Sequence, residues 1–227
     1  MALTDNLLAY WKMEGNSNDS VWSNNGTDTA ITYSAWNWKS WQWAWFNWST
    51  SRIQLPNSTI LNWKTKFTIN TWVTFGDHNT WSLRAIIWVQ TNYIGALNSQ
   101  YISSNWLDHQ ISFWPAGTSP AINAVNLWNT TTWAWYMLTH TYDSTLLKTE
   151  TFLNGTSMGS QTFSSLPAIA VTTVMDIWRS YDSTRIHTGN MDEYAIWDRV
   201  LTWAEITQLY NWLTFPFISF IPRITIS

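Results

Sequence analysis

Cysteine is missing from the 227-residue chain, which excludes a disulfide framework and any thiolate metal site, and leaves the compartment open. Charge is scarce too: 11% of residues are Asp, Glu, Lys or Arg, and the formal net charge is −3. Nucleic-acid binding needs clustered Lys and Arg, so no nucleic-acid partner is expected. No apolar run reaches the roughly 18–20 residues of a membrane helix, and no membrane insertion is expected. Met1 to Tyr10 has no basic start followed by an apolar core, so the chain as given reads as carrying no export signal. Glycine is also short, at 8 against 21 Trp, where ordinary usage of about 7% would give roughly 16 Gly.

What the chain does have is strands. Phe67 to Phe75 (FTINTWVTF) alternates aromatic or β-branched residues with polar ones over a full strand length. Leu7–Lys12, Ala30–Ser34, Arg52–Leu55, Leu83–Gln90, Asn92–Leu97, His109–Phe113, Trp135–Asp143, Thr149–Leu153, Ser157–Phe163 and Val171–Ile177 are further strand candidates. Asn154-Gly155 is the best hairpin turn signal, and 115–124 reads as loop. Strands at 8 to 12 residue spacing without a long helix describe an all-β sandwich, and this length suits a single one.

The segment Met191–Asn211 (MDEYAIWDRVLTWAEITQLYN) closes the pattern. Tyr194 to Trp197 alternates as a strand, and then Ala204, Ile206 and Leu209 change to a helical period. Thr202 and Glu205 have capping-box spacing at the helix start. Through Asp192-Glu193, Ile196-Trp197-Asp198-Arg199, Leu201-Thr202 and Ala204-Glu205-Ile206 to Leu209-Tyr210, this run resembles the end of the laminin-G-like branch of the concanavalin A-like lectin/glucanase superfamily. The resemblance implies a two-sheet antiparallel jelly-roll sandwich with one short C-terminal helix, spanning 1–212. The stretch 213–227 is then an apolar tail, extension or linker.

The tryptophans fall into two groups. Trp36, Trp38, Trp41, Trp43, Trp45 and Trp48 crowd the run AWNWKSWQWAWFNWSTS among turn-forming residues. With Trp22, Trp63, Trp178 and Trp212, they stand where relatives usually carry Gly. Trp11, Trp72, Trp135 and Trp197 stand where relatives carry an aromatic. A UGA codon read as Trp in a genome whose alternative genetic code reads it as Gly would leave this pattern. The first group should then be exposed, in turns or bulges, several with φ > 0, and Trp72, Trp135 and Trp197 should be buried.

The chemistry points away from catalysis. Glycosidases of this superfamily place two carboxylates about 5 Å apart on one strand, whereas Glu14, Glu150, Glu193 and Glu205 are all the glutamates, and none lies near another. Glu193 follows Asp192, but regular strand alternation sends neighbours to opposite faces. His78, His109, His140 and His187 lack zinc-ligand spacing. The resemblance implies a structural Ca²⁺ held by Glu14, the carbonyl of Trp48 and Asp192, with turn capping as the alternative role for the two acids. Tyr101 and Trp114, with Trp135, could form a sugar-stacking face, although core packing competes for Trp135. The function implied is a non-catalytic carbohydrate-binding or adhesion module of a secreted, surface or particle-borne protein, binding a glycan or a cell-surface protein outside the cell. The alternatives are a structural or protein-interaction domain of a cell surface or phage tail, and, further off, a glycoside hydrolase.

Overall fold

A computed structural model describes residues 2–35, 42–47, 49–55, 60–76, 83–89, 96–104, 106–114, 121–126, 131, 133–166, 175–177 and 188–212, with the backbone alone for Ala35, 83–114, 121–126 and Trp212. The eight-stranded sheet contains β1 (Leu7–Trp11), β3 (Thr32–Ala35), β4 (Gln42–Phe46), β6 (Lys66–Thr74), β11 (Trp135–Asp143), β12 (Lys148–Leu153), β13 (Thr156–Thr162) and β15 (Gly189–Trp197). Its order is β13-β12-β11-β6-β15-β4-β3, with β1 joining the far half of β15. The seven-stranded sheet contains β2 (Thr27–Thr29), β5 (Arg52–Leu55), β7 (Leu83–Val89), β8 (Ala96–Ser104), β9 (Trp106–Trp114), β10 (Ala121–Asn126) and β14 (Met175–Ile177), in the order β10-β9-β8-β7-β14-β5-β2. Every described pairing is antiparallel. The expected two-sheet sandwich with one helix, α1 (Trp203–Trp212), is what the chain forms.

Two apolar clusters fix the layers. Ile53, Leu55, Met175 and Ile177 of the seven-stranded sheet pack with Phe67, Ile69, Val73, Tyr194 and Ile196 of the eight-stranded one, so this is the core between the sheets. Trp72, Met137, Ala195 and Trp197, from the other side of the eight-stranded sheet, pack with Leu3, Leu201, Ile206 and Leu209. The eight-stranded sheet is therefore covered on both sides, and α1 lies on its outer one. This explains why all but the first residue of β6 is buried. On the helix side Thr68 donates to the Arg199 carbonyl (2.8 Å) and the Asn70 side-chain oxygen accepts from Thr139 (2.6 Å).

Local chemistry sets the connections. Asn154 and Gly155 have φ of 51° and 76° and join β12 to β13, the left-handed pair that a two-residue type I′ hairpin requires. The capping box also forms: the Glu205 carboxylate accepts from the Thr202 amide (2.8 Å), and the Glu205 amide donates to the Thr202 hydroxyl (3.3 Å). Arg199 completes a clasp by donating to Glu205 (2.9 Å) and to the carbonyls of Asp5 and Ala2. Start and end of the described chain are thus tied at one point.

Burial alone would raise the Glu205 carboxyl, but hydrogen bonds from Arg199 and Thr202 outweigh it and bring it from 4.5 down to about 2. A depressed acid stabilises the fold fully above its ordinary value and loses that contribution as pH falls toward the folded one. Stability in urea is therefore expected to drop by about 2–3 kcal/mol between pH 5 and pH 2 through this group. Glu205→Gln, which has no carboxyl to titrate, should flatten that part of the profile, and an unchanged slope would remove the clasp as its source.

Three expectations need correction. The Trp-rich stretch read as a turn contains β4, with Ala44 and Phe46 fully buried in the core between the sheets. Ala121 to Ala124, read as loop, belongs to β10, paired along its length with β9. Regular alternation at Asp192-Glu193 does not hold, because the register of β15 on β6 shifts between Asp192 and Ala195 and Glu193 has φ 51°. The first two were missed because the alternation is carried by Trp or by small residues.

Candidate functional site

The outer side of the seven-stranded sheet is the first place where recognition chemistry gathers. Met175 and Ile177 of β14 face the core between the sheets, so Asp176 between them lies on the outer face. By the same alternation, Ile53 and Leu55 of β5 face inward and Gln54 outward. The two polar residues are paired in register, and Gln54 Nε2 donates to Asp176 Oδ1 at 3.3 Å. Asp176 is held there only 8% exposed. Sequence reading passed over both, though the short alternations RIQL and MDI are the signal that marks them.

Tyr101 lies in β8 opposite His109, and Trp114 ends β9 opposite Ala96. Trp88 of β7 is opposite Asp176 and Asn98 of β8 opposite Trp88, so Asn98 shares the outer face. Ser112 is opposite Asn98, and Trp114, two residues on, falls on that face as well. Tyr101, three residues from Asn98, falls on the other. Register thus does not bring these two aromatics to one face. Trp135 is half-buried at the start of β11, beside the ring of Trp43 (6.0 Å between centroids) on the eight-stranded sheet.

The second place is the end of the β1/β15 pair. Trp11 is opposite Tyr194, and both Glu14 and Asp192 lie beyond that rung. Asp192 is fully buried and its Oδ1 accepts from the Glu193 amide at 2.9 Å. Glu193, 1% exposed, takes the Tyr10 hydroxyl. Asp192 is paired with Trp72 on the helix side of the sheet, and Tyr10 belongs to that same cluster. Trp48 lies outside the described residues. Phe46 is opposite Gly189 and Ala44 opposite Met191, so the next rung sets Trp43 beside Asp192. Two carboxylates at one strand end have the hard-oxygen chemistry of a Ca²⁺ site but fall short of its 6–8 ligands. Among the described residues no group of three or more acidic or imidazole side chains converges.

The other acids have partners elsewhere. Glu150 is held by Lys148 (2.8 Å) and Ser157 (2.6 Å), and Lys66 pairs with Asp143 (3.1 Å). Burial pushes the Asp143 carboxyl up, but the Leu146 and Thr145 amides and Lys66 more than offset that and hold it below the usual carboxylate range. His140 is buried against the Thr151 hydroxyl (3.2 Å).

A family model described as the concanavalin A-like lectin/glucanases superfamily matches residues 47–207. No curated protein matches the sequence. Among solved structures, the chain is similar to domain 4 of AbnA, an extracellular arabinanase from Geobacillus stearothermophilus in complex with arabinotriose. That likeness has TM-score 0.70 and 16% identity, and covers 90% of this chain and 98% of that domain. It is also similar to the binding domain of botulinum neurotoxin DC in complex with SialylT (TM-score 0.71, 14% identity, 92% of this chain and 52% of that one). The same toxin domain in complex with rat synaptotagmin II gives TM-score 0.67 and 14% identity over 92% and 52%. The chain thus spans nearly all of the arabinanase domain and about half of the toxin domain.

Proposed function

The chain belongs to the concanavalin A-like lectin/glucanases superfamily, and from that we propose that it is a non-catalytic glycan-binding module of a surface, secreted or particle-borne protein. The observation that carries this reading is the polar pair Gln54 and Asp176 on the outer side of the seven-stranded sheet, hydrogen-bonded to each other directly behind the apolar core. Paired amide and carboxylate groups supply both donors and acceptors, which is what adjacent sugar hydroxyls need. The likeness to an arabinanase domain solved with arabinotriose supports it. The non-catalytic part is supported by the glutamates: Glu193 is buried with Tyr10, Glu205 is clasped by Arg199, and Glu150 is paired with Lys148.

Screening the domain on a glycan array, with and without Ca²⁺, tests the reading. Binding to a defined glycan set is the expected result. No glycan binding, with capture of a purified surface protein instead, would favour a protein-interaction domain, the reading supported by the neurotoxin domain solved with rat synaptotagmin II. Calcium is part of the same proposal, through Glu14, Asp192 and carbonyls near them. Millimolar Ca²⁺ is expected to raise the thermal midpoint through its mass-action term, and Asp192→Asn to abolish that rise. An equal rise in the variant would dismiss this site.

A further inference from the structure

We propose that β13 is the chain's interface with a second copy of itself, the two strands pairing antiparallel about Gln161 so that two eight-stranded sheets join edge to edge. β13 (TSMGSQT) ends its sheet beyond β12, and none of its seven residues is buried. It carries neither charge nor proline, two devices that commonly blunt a sheet edge. Its first half is closed to a partner in another way, because the register on β12 shifts between Ser157 and Gly159. The half from Ser160 to Thr162 is regular. Phe163 donates to the Leu147 carbonyl at 2.8 Å, which makes 147 and 163 a hydrogen-bonded rung. Bonded and non-bonded rungs alternate in an antiparallel pair, so the main-chain groups of Thr162 and Ser160 point away from β12. The Thr162 carbonyl accepts from the Gln161 side-chain amide at 3.2 Å, which stands in for the amide of a further strand.

Symmetry and charge select a second copy as the occupant. A two-fold axis at Gln161 sets Ser160 of each copy against Thr162 of the other, two rungs that make four main-chain hydrogen bonds. The incoming Ser160 amide then takes over the carbonyl that Gln161 holds. Any group on such an axis meets itself, and Gln161 suits that place because an amide both donates and accepts. In the strand behind, Lys148 is opposite Thr162 and Glu150 opposite Ser160. All four lie on the helix side of the sheet, since Phe152, two residues on from Glu150, belongs to the cluster under α1. The axis therefore puts Glu150 of one copy in line with Lys148 of the other, about 14 Å away across three strand spacings, so each row ends in opposite charges. Two rungs make a small contact, in the transient class below about 1,200 Å². A contact that weak gains effect where copies are held close together, as on a surface or a particle.

Sedimentation velocity from about 10 μM to about 1 mM, the range suited to a contact of this class, is the measurement. A reversible shift from monomer to dimer is expected as concentration rises. Gln161→Lys sets two ammonium groups across the axis, and Gln161→Glu two carboxylates, so each alone should weaken the dimer by about tenfold or more. An equimolar mixture of the two should restore it, which a loss of fold in either could not produce. Ser160→Pro removes an amide that points away from β12 and should also leave a monomer. Trp22→Gly and Trp63→Gly, at exposed rings outside β13, should leave the association unchanged. Thermal midpoints identify any variant that has lost its fold, and the charge-swapped mixture then carries the test. A chain that stays monomeric throughout overturns the inference. So does a dimer that survives both Gln161→Lys and Ser160→Pro, or one that is lost with Trp22→Gly or Trp63→Gly.

Discussion

Replacing Trp197 with Ala is expected to cost about 3–5 kcal/mol of unfolding free energy. Trp197 ends β15 with no exposed surface, and it belongs to the cluster of Leu3, Leu7, Leu201, Ile206 and Leu209 that joins α1 to the eight-stranded sheet. Removing the indole leaves a cavity walled by a strand and a helix, elements that cannot both collapse into it. It also removes the donor to the Leu3 carbonyl, now met at 2.6 Å, and the buried acceptor left alone accounts for ~1–3 kcal/mol of that total. Against a typical total of about 5–15 kcal/mol, this is a large share. Trp197→Phe separates the two contributions, since it keeps much of the apolar volume and loses only the hydrogen bond. Urea unfolding of the three proteins is the measurement, and a loss below about 1 kcal/mol for the Ala variant would show that α1 is not held through this residue.

How much of the fold could be read from sequence depended on which side chains carried the alternation. Strands β5, β6, β11 and β15 were legible because β-branched and aromatic residues alternate there with polar ones, and the bounds of Trp135–Asp143 and Arg52–Leu55 were read to the residue. The capping box at Thr202 and the hairpin at Asn154-Gly155 were legible because each depends on two residues close in sequence. Strand β4 was not, since QWAWF among turn-forming neighbours carries no period-2 polarity. The site was harder still. The place of Asp176 depends on which sheet β14 joins, and that is a contact with β5, about 120 residues earlier in sequence, which no local pattern encodes. The bulge at Glu193 was hidden for the same reason, because a register shift belongs to the partner strand as much as to its own.

The described tryptophans divide only in part as their positions in the sequence suggested: of the first group Trp22 and Trp63 are exposed and Trp63 alone has φ > 0, while Trp43, Trp45 and Trp212 lie in a strand or the helix. Trp72 and Trp197 are buried at 3% and 0%, while Trp22 and Trp63 are 72% exposed. Trp135 is only half-buried, and Trp43 and Trp45 are half-buried in β4 and not in a turn. Trp36, Trp38, Trp41, Trp48 and Trp178 lie outside the described residues. Trp212 is the last residue of α1. Trp133, absent from the expected glycine-like group, has φ 63° and is 50% exposed, and so belongs with Trp63, at φ 60°.

Trp63→Gly and Trp133→Gly, made together, are expected to stabilise the protein, against the usual direction of large-to-small changes. A left-handed backbone costs an L-residue with a Cβ about 1–2 kcal/mol, so two sites release about 2–4. Glycine gives back part of that by loosening the unfolded chain, about 0.4–1 kcal/mol per site, which leaves a net gain of about 1–3 kcal/mol. Little packing is lost at Trp63, which is 72% exposed in the turn before Lys64. At Trp133 the backbone amide keeps its bond to the Phe75 carbonyl (2.8 Å) whatever the side chain. Its indole does lie against Gly76, so Trp63→Gly alone should show the cleaner gain. Adding Trp22→Gly should raise the yield of soluble monomer with a smaller change in urea midpoint, because it removes an exposed apolar ring at a position without left-handed strain. Coding DNA with UGA at these three positions and UGG at Trp72 and Trp197 is the companion expectation of the recoding proposal. If the double variant instead unfolds at lower urea than the parent, these tryptophans are native packing residues, and the glycine reading of their positions fails.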